Sequence, residues 1–146
     1  MSLIADIADA VVTALNGQSF AMPFTATRAY VPTFDLKEMK DLHVTVVPKG
    51  TDLSTAGRGI AQSDVQIDVA VQKKLLPAGA AGAGDSAEID ALMGLVQEIA
   101  EFVRATGRFG DASWVRTQNL PIYSAEHLDQ LRQFTGLLTV TLRVMT

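Results

Sequence analysis

Two stretches of the chain alternate strictly between apolar and polar positions. Within Ser63–Lys74, valine or isoleucine occupies every second position from Val65 to Val71, with Gln, Asp and Ala between them. Within Phe134–Met145, leucine or valine alternates with threonine or arginine from Leu138 to Val144. Successive side chains of a strand point to opposite faces, so both stretches predict strands with one buried face and one polar face.

Two longer stretches have the three- and four-residue apolar spacing of amphipathic helices. The first is Ser2–Asn16, which Gly17 is placed to end. The second runs from Asp85, a good N-cap residue, to about Thr106, and Gly107 follows it. A shorter pattern, Ser124–Leu131, predicts one or two helical turns.

The remaining segments are shorter strands and loops. Strand patterns occur in three places, which are Phe24–Tyr30 with a continuation to Phe34, Leu42–Val47 with a stop at Pro48, and Ser113–Asn119. Glycine and small polar residues predict loops in two places, Lys49–Ala61 and Leu75–Gly84.

The order of these elements indicates the fold class. Strands follow one another before a single long helix, which favours α+β over a parallel array of alternating strands and helices. We expect one domain over residues 1–146, with an antiparallel or mixed sheet of four to five strands and two main helices packed on one face.

Composition excludes several classes of protein. The chain has 146 residues, no cysteine and a net charge of −4. Disulfides and thiolate metal sites are therefore excluded, and a general attraction for nucleic acid is not expected. No apolar run approaches the ~20 residues of a membrane span, and the N-terminus lacks the positive start of a signal peptide. The default location is the cytoplasm.

No motif predicts a catalytic, cofactor or metal site. The residues from Gly82 to Ala87 match the G-x-G-x-x-A dinucleotide pattern. However, this match lies eight residues beyond the preceding strand and places Asp85 where a pyrophosphate would sit. The two histidines, His43 and His127, do not have the spacing of metal ligands.

Five segments together resemble one family. They are I-A-D-I-A-D-A-V-V-T-A-L-N, Y-V-P-T-F-D-L-K-E-M-K-D-L-H-V-T-V-V-P-K-G, D-V-Q-I-D-V-A-V-Q-K-K-L, I-D-A-L-M-G-L-V-Q-E-I-A-E-F and Y-S-A-E-H-L-D-Q-L-R-Q-F-T-G-L-L-T-V-T-L-R-V. Over nearly the whole chain, the sequence is similar to small proteins of the tailed-phage head–tail junction, most closely the tail terminator or tail completion proteins.

The resemblance implies a structural virion protein without catalysis. Such proteins form a hexameric ring that caps the tail tube, stops its growth and presents a surface to the head connector. In contractile tails the ring can also touch the sheath, and double-stranded DNA passes through it only as cargo. It implies assembly in the host cytoplasm and a final place in the virion neck. The alternatives are a head-closure, stopper or adaptor ring, or a small enzyme or ligand-binding domain.

Candidate residues for subunit contacts lie in a predicted loop, at the end of one predicted strand and within the short strand Ser113–Asn119. Four of them have a simpler explanation as well: Arg58 as a solvated arginine in a mobile loop, Lys73 and Lys74 as protection of a strand end, and Trp114 as a core residue. The candidates for the assembly interface are Lys49, Asp52, Arg58, Lys73, Lys74, Trp114 and Arg116.

Overall fold

The computed structural model describes residues 3–30, 42–75, 85–119, 123–124 and 133–145. Within these ranges the elements in chain order are helix α1 (Leu3–Asn16), strands β1 (Ala26–Arg28), β2 (His43–Gly57) and β3 (Ile60–Lys74), helix α2 (Asp85–Thr106), and strands β4 (Arg108–Phe109), β5 (Ala112–Gln118) and β6 (Gln133–Met145). The predicted strand extension to Phe34, the loop after Leu75 and the helical turns after Ser124 lie outside the described residues.

The strands form one mixed sheet in the order β1-β2-β3-β6-β5-β4. β1 is parallel to β2, and all other pairs are antiparallel. The α+β class is confirmed, and the described sheet has six strands, more than the four to five expected. The two alternating strands, β3 and β6, lie side by side at its centre, with Val69 opposite Leu138 and Ile67 opposite Val140.

The core lies between the helices and one face of the sheet. The alternating apolar residues of β3 and β6 are almost fully buried there, together with the apolar stripes of α1 and α2. α1 contacts β1 and β2 near one edge of the sheet and also β4 at the other edge, whereas α2 contacts β5 and β6. The sheet therefore curls around the first helix.

The two helices end in different ways, α1 at a polar side chain and α2 at a glycine. The side chain of Asn16 accepts a 2.7 Å hydrogen bond from the amide of Ala26 and donates a 3.1 Å bond to its carbonyl, which positions β1 beside the end of α1. Gly107 ends α2 with a φ of 70°, in the left-handed region that favours glycine.

The largest correction concerns Lys49–Ala61, which is not a loop. β2 continues through Pro48 to Gly57, and β3 begins at Ile60. Proline is tolerated in a strand at a free edge or beside a bulge. Both conditions hold here, because β1 pairs with β2 only as far as Val46 and the register shifts between Pro48 and Gly50.

The connection between β2 and β3 is a tight turn at Arg58 and Gly59. Gly59 has a φ of 74°, as tight hairpin turns require. A second hairpin was not predicted. It joins β4 to β5 through Gly110, which has a φ of 61°.

Candidate assembly interface

The hairpin of β2 and β3 extends beyond the rest of the sheet. The last residue of β3 that pairs with β6 is Gln62, opposite Met145. Beyond that point only β2 and β3 pair with each other among the described strands. We call residues 53–61 the arm tip. A two-stranded ribbon has no core of its own, so the arm tip depends on the sheet for its stability.

The arm tip exposes apolar side chains. Leu53 is 68% exposed and Ile60 is 48% exposed. The only charged residue of the arm tip is Arg58, in the turn. Exposed apolar residues on a projecting element mark a contact surface more clearly than scattered ones do.

A polar cleft of about 310 Å³ lies at the base of the arm. Its lining includes Asp52, Asp64, Arg116 and Thr141. The guanidinium of Arg143 donates to both carboxylate oxygens of Asp64, at 2.8 and 3.1 Å. These hydrogen bonds hold the pKa of Asp64 below its ordinary value and raise the pKa of Arg143.

A second group of cross-strand contacts continues along the same polar face. The hydroxyl of Thr139 donates a 2.8 Å hydrogen bond to the carboxylate of Asp68. The ammonium of Lys49 lies 3.9 Å from the same carboxylate. These contacts link β2, β3 and β6, so they stiffen the base from which the arm projects.

Lys73 and Lys74 lie at the opposite end of β3 from the arm tip. The Lys73 ammonium pairs at 2.7 Å with the carboxylate of Glu88 in α2, and the two side chains are 16% and 10% exposed. This ion pair ties the strand to the first turns of the helix. Lys74 is exposed.

An open groove of about 700 Å³ lies between α2 and β5. Trp114, which is half-buried, contributes to its wall and donates a 2.9 Å hydrogen bond from its indole nitrogen to Thr117. A Cβ added at Gly94 would meet no atom within 4 Å, so the groove is open at this point of the helix. Further lining comes from Asp90, Met93, Val96, Gln97, Ala100, Glu101, Arg104, Asn119 and Leu138.

The predicted interface residues fall in separate places. Asp52 and Arg116 line the polar cleft, Lys49 lies beside Asp68 on the same face of the sheet, Arg58 caps the arm tip, and the others lie at the far end of β3 or in the groove. Sequence reasoning missed Asp64, Arg143, Leu53 and Ile60. The first two occupy polar positions of the alternating strands, and the G-R-G sequence flanked by Ala and Ile is the signal for the hairpin.

Comparison with protein-family models finds no matching family, and comparison with curated proteins finds no match. Over the described ranges, no three His, Asp or Glu side chains come together as a metal site would require. Neither helix described has the length and apolarity needed to cross a membrane.

Proposed function

We propose that this protein is a tail terminator of a tailed phage, a ring-forming structural protein that caps the tail tube and joins it to the head connector. The observation that carries the proposal is the arm tip, with exposed Leu53 and Ile60 on a ribbon that extends past the neighbouring strands. The family resemblance of the sequence supplies the identity of the partners.

The arrangement suits a subunit that must hold its shape while it contacts several neighbours. Its sheet is reinforced on the polar face by the Asp64–Arg143 pair and by Asp68, which contacts Thr139 and Lys49. A subunit of a cyclic ring uses two different surfaces, one for each neighbour, and a projecting arm provides one of them.

The test is assembly with purified tail-tube protein of the genome that encodes this chain. We expect tubes grown with the chain present to be shorter and to carry one ring at an end in negative-stain images. A ring mass in native mass spectrometry gives the number of subunits. Tubes that elongate normally without an attached ring would contradict the proposal.

The same assay separates the terminator from the neighbouring neck proteins. A head-closure or adaptor ring binds the portal or adaptor protein and not the tube. We would therefore run binding assays with tube protein and with portal protein in parallel. Their comparison decides between a terminator and another neck protein. We expect attachment to the tube to occur without portal protein.

A further inference from the structure

We infer that the arm tip of one copy docks into the groove between α2 and β5 of a second copy. This inference deepens the proposed function and rests on it for self-assembly. It names the two surfaces that meet, which the family resemblance leaves open.

The two surfaces match in their apolar parts. The arm tip presents Leu53 and Ile60 to solvent. The groove has apolar walls that include Met93, Val96 and Trp114. Its volume of about 700 Å³ is ample for a few side chains of a hairpin tip. Docking would remove apolar surface from water on both copies, which favours association.

The two surfaces also match in charge. Arg58 is the only charged residue of the arm tip. In the groove, Glu101 and Arg104 neutralise each other at 2.9 Å. Asp90 also lines the groove, and no ion pair is seen for it among the described residues. The groove therefore offers one negative charge to the one positive charge of the tip, and such complementarity sets partner choice and register.

Geometry makes this contact intermolecular. Trp114, the sheet residue of the groove nearest to the arm in register, lies opposite Leu142, which pairs with Val65, and Ile60 precedes Val65 by five positions along β3. At ~3.4 Å per residue even this near end of the groove lies roughly 17 Å from the tip of its own chain along the strands, and the arm projects away from it. Because tip and groove are different surfaces, the contact is head-to-tail, the type that builds rings.

Crosslinking tests the contact directly, because the chain has no cysteine. We would mix a Ser54→Cys variant with a Gly94→Cys variant of different mass tag and oxidise the mixture, with and without tail-tube protein. The matched control replaces Gly94→Cys by Ala105→Cys, an exposed position of α2 outside the groove lining. We expect several-fold more mixed disulfide dimer with Gly94→Cys than with the control.

Charge reversal provides a second measurement. Arg58→Glu and Asp90→Arg should each weaken self-association in sedimentation experiments, and the double variant should recover it. Thermal unfolding of every variant checks that the fold is kept. Equal crosslinking of Gly94→Cys and Ala105→Cys in both conditions would overturn the inference.

The outcomes separate this inference from the proposed function. Rings that cap tubes without the Ser54–Gly94 crosslink would overturn the docking contact and leave the terminator function standing. Specific crosslinking by a protein that does not bind tubes would support the docking contact and overturn the terminator function. If neither occurs, both are wrong.

Discussion

Arg143 and Asp64 join the two central strands through two hydrogen bonds of 2.8 and 3.1 Å on the polar face of the sheet. The residues lie directly opposite each other in the β3–β6 register. Asp52 of β2 lies on the other side of Asp64. The pair therefore also relieves the repulsion that two facing carboxylates would otherwise produce.

Replacing Asp64 with Asn should lower the free energy of unfolding at neutral pH and change its pH dependence. The pKa of Asp64 lies below its ordinary value of 3.8 in the folded protein because Arg143 donates hydrogen bonds to the carboxylate. Its stabilising contribution is therefore complete above the unfolded pKa and is lost as the pH falls through the lower, folded value. Urea unfolding at a series of pH values measures this, and the difference between the two proteins should shrink below pH 3.8.

Asp52→Asn is the matched control for that experiment. Asp52 faces Asp64 across the strands, so its neutralisation should leave stability unchanged or slightly raised. A pH-independent difference for Asp64→Asn would show that the carboxylate charge is not what stabilises the strand pair.

Two glycines should respond in opposite directions to replacement by alanine. A Cβ at Gly136 would lie 3.0 Å from the ring of Phe134 and 3.1 Å from a methyl group of Val96. Overpacking of this kind costs about 1–3 kcal/mol. A Cβ at Gly94 meets nothing within 4 Å, and alanine in a helix interior is favoured over glycine by about 0.5–1 kcal/mol. Calorimetric unfolding should show Gly136→Ala melting lower than wild type and Gly94→Ala higher.

The two lysines at the end of β3 should behave differently. Lys73 pairs with the carboxylate of Glu88 in a half-buried setting. Lys73→Ala should lower the free energy of unfolding by about 1–3 kcal/mol, because it leaves a partly buried carboxylate without this partner. Lys74→Ala, on an exposed side chain, should change it by less than about 0.5 kcal/mol. Denaturant titration compares them, and equal effects would show that the ion pair contributes little.

The sequence predicts the centre of this fold well. β3, β6, α1 and α2 carry strong periodicity that comes from burial on one face, and glycine marks the helix ends. The same reasoning does not detect the arm, because the arm packs against no core and its residues therefore do not alternate between apolar and polar. Its Gly, Ser and Thr residues have the composition of a loop, although their backbone groups pair as a hairpin.

The site is less predictable than the fold. Alternation places Asp64 and Arg143 on the polar face, but a shift of two residues between the strands would keep that face and separate the pair. Trp114 could be assigned to core or surface equally well from sequence, and the structure places it half-buried at the groove.

Removal of the arm tip together with Gln62 and Ser63 should separate folding from assembly. Asp52 and Asp64 are paired across the hairpin, so replacing residues 53–63 with an Asn-Gly turn keeps the register of the remaining strands. Most of the removed residues are exposed, and we therefore expect circular dichroism spectra to match those of the full chain and the melting temperature to fall only slightly. Ring formation and attachment to tail-tube protein should be lost, because the removed residues include Leu53, Arg58 and Ile60.

The matched control is Val69→Asp, which places an unpaired charge in the core at a cost of several kcal/mol and should lose fold and assembly together. An armless protein that still formed rings on tubes would place the subunit contacts on the body of the domain.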